Sequence, residues 1–328
     1  MKILCYATKS YDRDYLTQAN THGIDIDYVD CLLDSQTAVL ATGYDLVCIF
    51  VNDQCDSETL KQLHAQGVQG VLLRCAGYNN VDLATAHNLG IIVARVPEYS
   101  PYAVAEHTVG LLLCLNRKIH KAYNRIKESN FSLTGLIGHD LCGKTVGVVG
   151  YGSIGRVFAN IMSGFSCRVL VHDPYVDQVA DGHTKADLNT LFEQSDIISL
   201  HCPLSEATKH LIDANALAQM KSNIMILNTS RGGLVDTKAV IEALKHQQIA
   251  GLAIDVYEEE SALFFDDHSE DMIQDDIFQR LTTFPNVLIT GHQGFLTHEA
   301  LSNIAKTTLD NALRIAAHEV CENVVVGE

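Results

Sequence analysis

The chain has 328 residues, 47% of them hydrophobic and 19% charged, which is typical of a globular protein long enough for two domains. Its 40 acidic residues outnumber its 23 basic residues and give a formal net charge of −17. Because such a surface repels phosphates and no cluster of lysine and arginine stands out, nucleic acid is not expected as a partner.

Neither a membrane nor a metal is expected either. The longest apolar helical stretch, residues 103–115, contains Glu106 and His107 and is too short to span a bilayer. The first residues predict a strand rather than a signal peptide. The 15 histidines lack zinc-ligand spacing, and the ten cysteines form no Cys-x-x-Cys pair. Since Cys48, Cys75 and Cys114 lie in apolar runs, we expect reduced, buried thiols and a cytoplasmic location.

Short apolar runs alternate with segments of helical period, which predicts an α/β protein with parallel sheets. Five strands are predicted in the first part of the chain, at residues 2–7, 24–29, 46–51, 71–75 and 91–96. A turn-rich segment, 97–101, opens a long helix predicted over 102–127. Six more strands follow, at residues 145–150, 168–173, 197–202, 224–229, 251–257 and 286–292. The last helix is predicted over 296–319.

A glycine-rich turn, Gly150-x-Gly152-x-x-Gly155, joins the strand at 145–150 to a helix predicted over 154–165. Gly150 permits a tight turn, Gly152 lets the backbone approach a pyrophosphate, and Gly155 lets the helix pack on the strand. The N-terminal end of that helix, with Ser153 and Ile154, then faces the phosphates with its positive dipole end. This pattern predicts dinucleotide binding; the alternative is a turn that only packs a helix on a sheet.

The acid that ends the next strand indicates which dinucleotide is bound. Asp173 stands 18 residues after Gly155, where it would hold the 2′-hydroxyl of a ribose and repel a 2′-phosphate. The cofactor is therefore predicted to be NAD(H). The six strands that begin at the glycine turn fit a complete dinucleotide-binding domain, and the five before it fit a flavodoxin-like domain.

Three polar residues follow the ends of later strands, on the side of the sheet where the glycine turn places the cofactor: Arg231, Glu260 and His292. Histidine transfers protons near neutral pH, and a carboxylate beside it favours the imidazolium and orients the ring. Arginine holds a carboxylate with a planar fork. Together they predict reduction of a 2-oxo acid to a 2-hydroxy acid. Each residue taken alone has a simpler explanation. Arg231 would be a surface salt-bridge partner, Glu260 one acid of an acidic loop, and His292 a cap after a strand.

Residues 258–276 form an irregular region with nine acids among nineteen residues and the run Leu263-Phe264-Phe265 in their midst. One interpretation is a solvated acidic loop pinned by its aromatic side chains. The other is a segment that shapes the entrance of the site.

These motifs together resemble the D-isomer-specific 2-hydroxyacid dehydrogenases, over essentially the whole chain. The resemblance is carried by residues 149–155 (VGYGSIG), 200–204 (LHCPL), 228–232 (NTSRG) and 255–258 (DVYE). Within the family the chain is most similar to the fermentative D-lactate dehydrogenases, through residues 99–101 (YSP), 105–107 (AEH), the insertion after Glu260 and residues 291–296 (GHQGFL).

The resemblance implies two Rossmann or flavodoxin-like domains with a cleft between them. Residues 101–297 would form the NAD-binding Rossmann domain, and residues 1–100 plus 298–328 a discontinuous, flavodoxin-like substrate domain. The family assigns carboxylate binding to Arg231, pairing of the histidine to Glu260 and proton donation to His292.

Further contacts are implied by the same resemblance. The substrate contacts would be Cys75, Ala76, Gly77, Tyr99 and Phe295. The additional cofactor contacts would be Cys202, Pro203, Thr229 and Asp255. Core packing or turn geometry is the alternative for the substrate set, and an inert buried thiol is the alternative for Cys202.

The implied activity is reduction of pyruvate to D-lactate with NADH, by a homo-oligomer of two or four chains. One alternative is a related dehydrogenase acting on a bulkier 2-oxo acid, such as 2-oxoisocaproate or phenylpyruvate. Another is a non-catalytic nucleotide sensor on the same fold. The sensor explains the glycine turn but not the presence of Arg231, Glu260 and His292.

Overall fold

The computed structural model describes residues 1–326, which divide into two compact units. The first contains Met1–Ser100 and the chain from Leu296 onward, and the second contains Pro101–Phe295. Each unit has one parallel sheet with helices packed on it. The predicted fold class, two parallel-sheet α/β domains, is confirmed.

The described part of the chain contains twelve strands and eleven α-helices. The strands are β1 Lys2–Cys5, β2 Asp25–Tyr28, β3 Leu46–Ile49, β4 Gly70–Leu73, β5 Ile92–Ala94, β6 Thr145–Val149, β7 Arg168–His172, β8 His183–Lys185, β9 Ile197–Leu200, β10 Met225–Asn228, β11 Gly251–Ile254 and β12 Val287–Ile289. The helices are α1 Ser10–Ala19, α2 Ser57–Ala65, α3 Leu83–Leu89, α4 Pro101–Arg117, α5 Ile119–Lys127, α6 Ser153–Gly164, α7 Leu188–Gln194, α8 Ala214–Gln219, α9 Thr237–Lys245, α10 Asp276–Thr282 and α11 His298–Ala316.

The sheet of the first unit has the order β2-β1-β3-β4-β5, which is the flavodoxin-like order. All five predicted strands are present, each shorter than its apolar run. Strand side chains such as Ile3, Leu46 and Leu72 are buried against Leu309 and Ile315 of α11. The last helix therefore supplies part of this unit's core, although it lies more than 200 residues further along the chain.

The sheet of the second unit has seven strands in the order β12-β11-β10-β9-β6-β7-β8. The six predicted strands are there, but the expected count of six was wrong by one. The added strand, β8, is a three-residue edge strand whose side chains are half-buried or exposed. It pairs with β7 through its backbone, so it carries no apolar alternation by which the sequence would reveal it.

The single helix predicted over 102–127 was also wrong, because the chain breaks it at Lys118. That residue adopts φ +52° between α4 and α5, in the left-handed region that a helix interior excludes. The break is stabilised from outside the helix: the Asn116 side chain donates to the His139 carbonyl oxygen (2.7 Å) and accepts from the His139 N–H (2.9 Å). No glycine or proline marks this position in the sequence.

The other two predicted helices form with slightly different bounds. The helix after the glycine turn begins at Ser153 and ends at Gly164, and the last one spans His298–Ala316 with Thr297 accepting from the Ala300 N–H (3.2 Å) as its N-cap. Among residues 1–326, no helix combines the length and the apolar character needed to cross a membrane.

Candidate active site

The glycine turn follows β6 at the point where the strand order of the second sheet reverses, between β9 and β7, which is where doubly wound sheets bind ligands. Gly150 has φ +92°, and a Cβ there would lie 2.6 Å from the Cys202 nitrogen. A Cβ on Gly155 would lie 2.0 Å from the Gly150 carbonyl oxygen. A Cβ on Gly152 would meet nothing within 4 Å. Two of the glycines are thus required by packing, and the third leaves an open face that fits a pyrophosphate.

Asp173 lies just after β7, and the backbone of the glycine turn fixes its carboxylate. Its Oδ2 accepts from the Tyr151 N–H (2.7 Å), and its Oδ1 accepts from the Tyr175 N–H (2.8 Å). At the start of α6, Ser153 is exposed and Ile154 packs against the core of this unit. The carboxylate is therefore held next to the turn predicted to bind the phosphates, where a ribose diol would meet it.

Three further cofactor candidates lie in the loops after β9 and β10. Cys202 is buried, and burial raises the pKa of its thiol to about 11, so it is an unreactive thiol at neutral pH. Pro203 is exposed beside it. Thr229 is buried with its hydroxyl 2.7 Å from that of Thr108, and Ser230 Oγ donates to the Cys202 carbonyl oxygen (2.7 Å). The Ser230–Cys202 bond joins the two loops at the carboxyl edge of the sheet, and the Thr229–Thr108 contact joins the second loop to α4.

Arg231, Glu260 and His292 follow β10, β11 and β12, which are neighbours in the sheet. Glu260 and His292 are in direct contact: Oε1 of the carboxylate lies 2.8 Å from Nδ1 of the imidazole. A carboxylate only accepts, so Nδ1 donates in this bond. The other oxygen, Oε2, accepts from the Tyr257 N–H (2.9 Å). The pair is thus anchored to the backbone, and Nε2 is the ring nitrogen left to act on a substrate.

The loop that carries His292 is held by Asp255, whose side chain is 2% exposed. The Asp255 carbonyl oxygen accepts from the His292 N–H (2.7 Å). Its Oδ1 accepts from the Gln293 N–H (2.9 Å) and the Thr290 hydroxyl (2.5 Å), and its Oδ2 accepts from the Gly294 N–H (2.7 Å). His292 itself has φ +51°, a conformation that costs a non-glycine residue free energy. The bonds from Asp255 stabilise this conformation.

His107 of α4 completes the set around this carboxylate, with Nε2 lying 3.2 Å from Asp255 Oδ1 and 3.1 Å from Thr290 Oγ1. Burial alone would raise the pKa of Asp255, but the hydrogen bonds from His107, Thr290 and the Gln293 backbone outweigh it and hold that pKa below its usual range. Asp255 is therefore a charged, fully engaged group beneath the His292 loop. The contact of His107 with Asp255 was not predicted from the sequence.

The Arg231 side chain is half-buried, and its Nη1 donates to the Ser230 carbonyl oxygen (2.7 Å). Among residues 1–326, no carboxylate lies within ion-pair distance of this guanidinium. Its charge is thus available for a carboxylate brought by a ligand. The next residue, Gly232, was missed by the sequence analysis: a Cβ there would lie 2.0 Å from the Tyr257 carbonyl carbon. The loop of Arg231 therefore packs directly on the chain that leads to Glu260, and the Arg-Gly-Gly run is the sequence signal for it.

The first unit places its substrate candidates after β4 and β5. Cys75 is buried, with Sγ donating to the Gly77 carbonyl oxygen (3.2 Å), and the Ala76 carbonyl oxygen accepts from Arg95 Nη1 (2.9 Å). The Tyr99 carbonyl oxygen accepts from Asn303 Nδ2 (2.7 Å). Both loops are thus held at the carboxyl edge of this unit's sheet. The remaining candidate, Phe295, is buried at the end of the second unit.

Within the described residues, no group of three or more histidine, cysteine, aspartate or glutamate side chains is arranged to hold a metal ion.

Residues 109–294 match the family model described as "D-isomer specific 2-hydroxyacid dehydrogenase, NAD binding domain". The chain belongs to the D-isomer-specific 2-hydroxyacid dehydrogenases. It is an NAD-dependent dehydrogenase, and the glycine turn, open at Gly152 and flanked by Asp173, fits that cofactor.

Similar proteins are found along the full length of the chain. It is 51% identical to a D-lactate dehydrogenase of Escherichia coli strain K12, over 99% of this chain and 100% of that protein. The apo-structure of D-lactate dehydrogenase from Escherichia coli matches 99% of this chain and 100% of its own, with a TM-score of 0.90 and 47% identity. A D-lactate dehydrogenase with NAD+ from Lactobacillus jensenii matches with a TM-score of 0.82 and 30% identity, over 100% of both chains.

Proposed function

We propose that this chain is an NAD-dependent D-lactate dehydrogenase that reduces pyruvate to D-lactate. The observation that carries the proposal is the Glu260–His292 pair, with Oε1 and Nδ1 2.8 Å apart, on the sheet edge that also bears the glycine turn and Arg231. The identity of 51% to an enzyme of that name supports the choice of substrate.

In the proposed reaction, Arg231 binds the pyruvate carboxylate through its planar fork and so orients the ketone. NADH, when bound, supplies the hydride that forms the new C–H bond at C2. Nε2 of His292 gives its proton to the carbonyl oxygen, which becomes the hydroxyl of lactate. Glu260 stabilises the imidazolium before this transfer and fixes the ring through Nδ1. The products are D-lactate, NAD+ and a neutral His292, which regains a proton from water.

The remaining assignments support the same activity. We propose residues 101–297 as the NAD-binding domain, with Ser153, Ile154, Cys202, Pro203, Thr229 and Asp255 among its cofactor contacts. Residues 1–100 plus 298–328 are proposed as the substrate domain. The proposed substrate contacts are Cys75, Ala76, Gly77, Tyr99 and Phe295.

The deciding assay follows NADH absorbance with a panel of 2-oxo acids: pyruvate, 2-oxoisocaproate and phenylpyruvate. Pyruvate should give the highest kcat/KM, and in the reverse direction D-lactate but not L-lactate should reduce NAD+. A higher kcat/KM for a bulkier acid would assign the chain to a different substrate. Binding of NADH without oxidation by any acid in the panel would identify a non-catalytic sensor. Substrates that differ by one or two methylenes are discriminated by only about 1–3 kcal/mol in an apolar site. The assay must therefore compare kcat/KM values between the acids, because activity with several of them is expected.

We also propose that the chain forms a homo-oligomer through residues 119–137, the apolar segment. It contains six large apolar side chains that are 53–83% exposed: Ile119, Tyr123, Ile126, Phe131, Leu133 and Ile137. The first three share one face of α5, and no residue of that helix is buried. Monomers rarely leave so continuous an apolar surface uncovered.

The charge of the apolar segment supports a second copy of this chain as its partner. Five of the 23 basic residues lie at or beside the apolar segment: Arg117, Lys118, Lys121, Arg125 and Lys127. The sequence analysis did not identify this group. The rest of the chain is strongly acidic, since the whole has a net charge of −17. A second copy offers an identical apolar surface, and its acidic surface outside the segment offers partners for these basic residues.

The oligomer is tested by light scattering of Ile126→Glu and Leu133→Glu after size-exclusion chromatography. Both variants should lower the mass from that of a dimer or tetramer to that of a monomer. Tyr175→Glu is the matched control, because Tyr175 is 94% exposed outside the apolar segment, and it should leave the mass unchanged. A monomeric wild type, or variants that stay oligomeric, would refute this interface.

We further propose a cytoplasmic location. Within residues 1–326 none of the ten cysteines forms a disulfide, which supports a reducing compartment. Alkylation of the protein in freshly lysed cells should label thiols without prior reduction, and a disulfide-bonded population would contradict the proposal.

A further inference from the structure

Phe265, in the acidic region that the proposed mechanism leaves without a role, contacts the proton-donor candidate. Its ring centroid lies 5.6 Å from that of His292, with the two planes tilted by 40°. Glu260, five residues earlier, binds Nδ1 of the same imidazole at 2.8 Å. One short segment therefore contacts His292 twice, through a carboxylate at the ring edge and through an aromatic ring.

The segment is folded so that this double contact is possible. The Glu260 carbonyl oxygen accepts from the N–H groups of Leu263 (2.9 Å) and Phe264 (2.8 Å), which turns the chain back toward its start. Phe264 is buried and packs on the ring of Phe278, at a centroid distance of 6.1 Å. Phe264 thus anchors the segment, while the half-buried ring of Phe265 lies against the imidazole.

The backbone at Phe265 gives independent evidence that its side chain is placed for the contact. Its φ is +76°, in the left-handed region where a bulky residue is an outlier and glycine is favoured. Such strain persists only when the surroundings enforce it, and it concentrates at functional sites. At Phe265 the surroundings that enforce it are the turn at Glu260 and the packing of Phe264.

We propose that Phe265 is a positioning residue for His292. With Nδ1 held by Glu260, the ring of Phe265 fixes the plane of the imidazole, so that Nε2 keeps one direction. The same ring keeps water away from the Glu260–His292 pair. The proposal rests on the proposed function for its kinetic consequences, but its structural consequence, protection of the imidazole, does not depend on any activity.

The kinetic test compares Phe265→Gly, Phe265→Tyr and wild type. Phe265→Gly relieves the backbone strain but removes a half-buried ring, so its urea unfolding midpoint should change little, yet kcat for pyruvate should fall about 10- to 100-fold through loss of orientation, with KM nearly unchanged. The solvent deuterium isotope effect on kcat should rise, because proton transfer becomes slower. Phe265→Tyr retains the ring and should restore kcat. Gln247→Gly is the control for strain, because Gln247 has φ +55° at an exposed site; it should leave kcat unchanged.

The second test needs no turnover. Diethylpyrocarbonate modification, mapped by mass spectrometry, should be faster at His292 in Phe265→Gly than in wild type. It should be unchanged at His210, which pairs with Glu258 at the start of the same region. If no 2-oxo acid is reduced, the proposed function fails while this test still decides the role of Phe265. An unchanged modification rate at His292, or a loss of stability that accounts for the loss of kcat, would overturn the proposal.

Discussion

Asp255→Asn is the substitution that most directly tests what holds the proton donor in place. Oδ1 of Asp255 accepts from Thr290, from the Gln293 N–H and from His107, whereas Oδ2 has one donor among residues 1–326, the Gly294 N–H. Asparagine has one oxygen, which is best placed where Oδ1 was. Its NH2 group then faces the Gly294 N–H, so that a donor meets a donor at a site where the side chain is 2% exposed.

The magnitude follows from this one unsatisfied bond. A buried donor that loses its partner costs about 1–3 kcal/mol, and the three remaining bonds weaken because their acceptor is no longer charged. The loop can relieve the conflict by moving, which displaces His292. Since a shift of about 1 Å at a reacting group costs on the order of 100-fold, kcat should fall about 10- to 100-fold while NADH still binds.

The assay pairs urea unfolding with steady-state kinetics and NADH fluorescence titration. Asp196→Asn is a matched control at the opposite edge of the same sheet: its Oδ2 accepts from the Thr145 N–H (2.8 Å) and its Oδ1 from Lys221 Nζ (2.9 Å). It should lower stability without changing kcat. If Asp255→Asn loses stability and keeps its kcat, then Asp255 does not position His292. If it loses chiefly NADH affinity, the direct cofactor contact is its main role.

The pH dependence of stability gives a second check on Asp255. Its pKa in the folded protein is held below the usual value, which is about 3.9 in unfolded chains. Its contribution to stability is therefore complete above the unfolded value and is lost as pH falls through the folded value. Asp255→Asn should flatten the acid limb of the unfolding profile below about pH 4. A limb as steep as that of wild type would show that Asp255 does not contribute to acid denaturation.

Three further predictions concern the remaining site residues. Arg231→Lys removes the planar fork and should raise KM for pyruvate strongly with little change in NADH affinity; unchanged pyruvate kinetics would make Arg231 structural. Asp173→Ala should narrow the preference for NADH over NADPH, and a wild type that uses both equally would contradict the assignment. Glu260→Gln replaces the carboxylate that accepts from Nδ1 of His292 and should lower kcat for pyruvate. If kcat is unchanged, Glu260 does not orient His292.

Local chemistry explains what the sequence revealed. Strands buried on both faces, such as β3, β4 and β9, need continuous apolar runs and were visible as such. The glycine turn was readable because it is a short motif: a Cβ on Gly155 would meet the Gly150 carbonyl oxygen of the same turn. Once the turn identified the ligand-binding edge, the residues after β10, β11 and β12 were placed on it by topology alone.

What the sequence did not reveal depends on partners outside the segment itself. The edge strand β8 is ordered by backbone pairing with β7, and the break at Lys118 is fixed by Asn116 binding His139. The contact of His107 with Asp255 spans a helix and a strand end 148 residues apart. The local sequence does not distinguish these three features, because similar residues also occur in ordinary loops, helices and surfaces.

Two residues with left-handed backbone conformations, which the sequence did not reveal, lie at the candidate site. His292 and Phe265, at φ +51° and +76°, are both non-glycine residues in a conformation that sequence patterns assign to glycine or asparagine, and their rings lie against each other. His292 is held there by Asp255, and Phe265 by the turn at Glu260 and the packing of Phe264. Each side chain is thus kept at a backbone position it disfavours by groups elsewhere in the same unit. Glycine would adopt both conformations without strain, so two contacting rings at these positions support the proposal that this part of the fold maintains the direction of the imidazole.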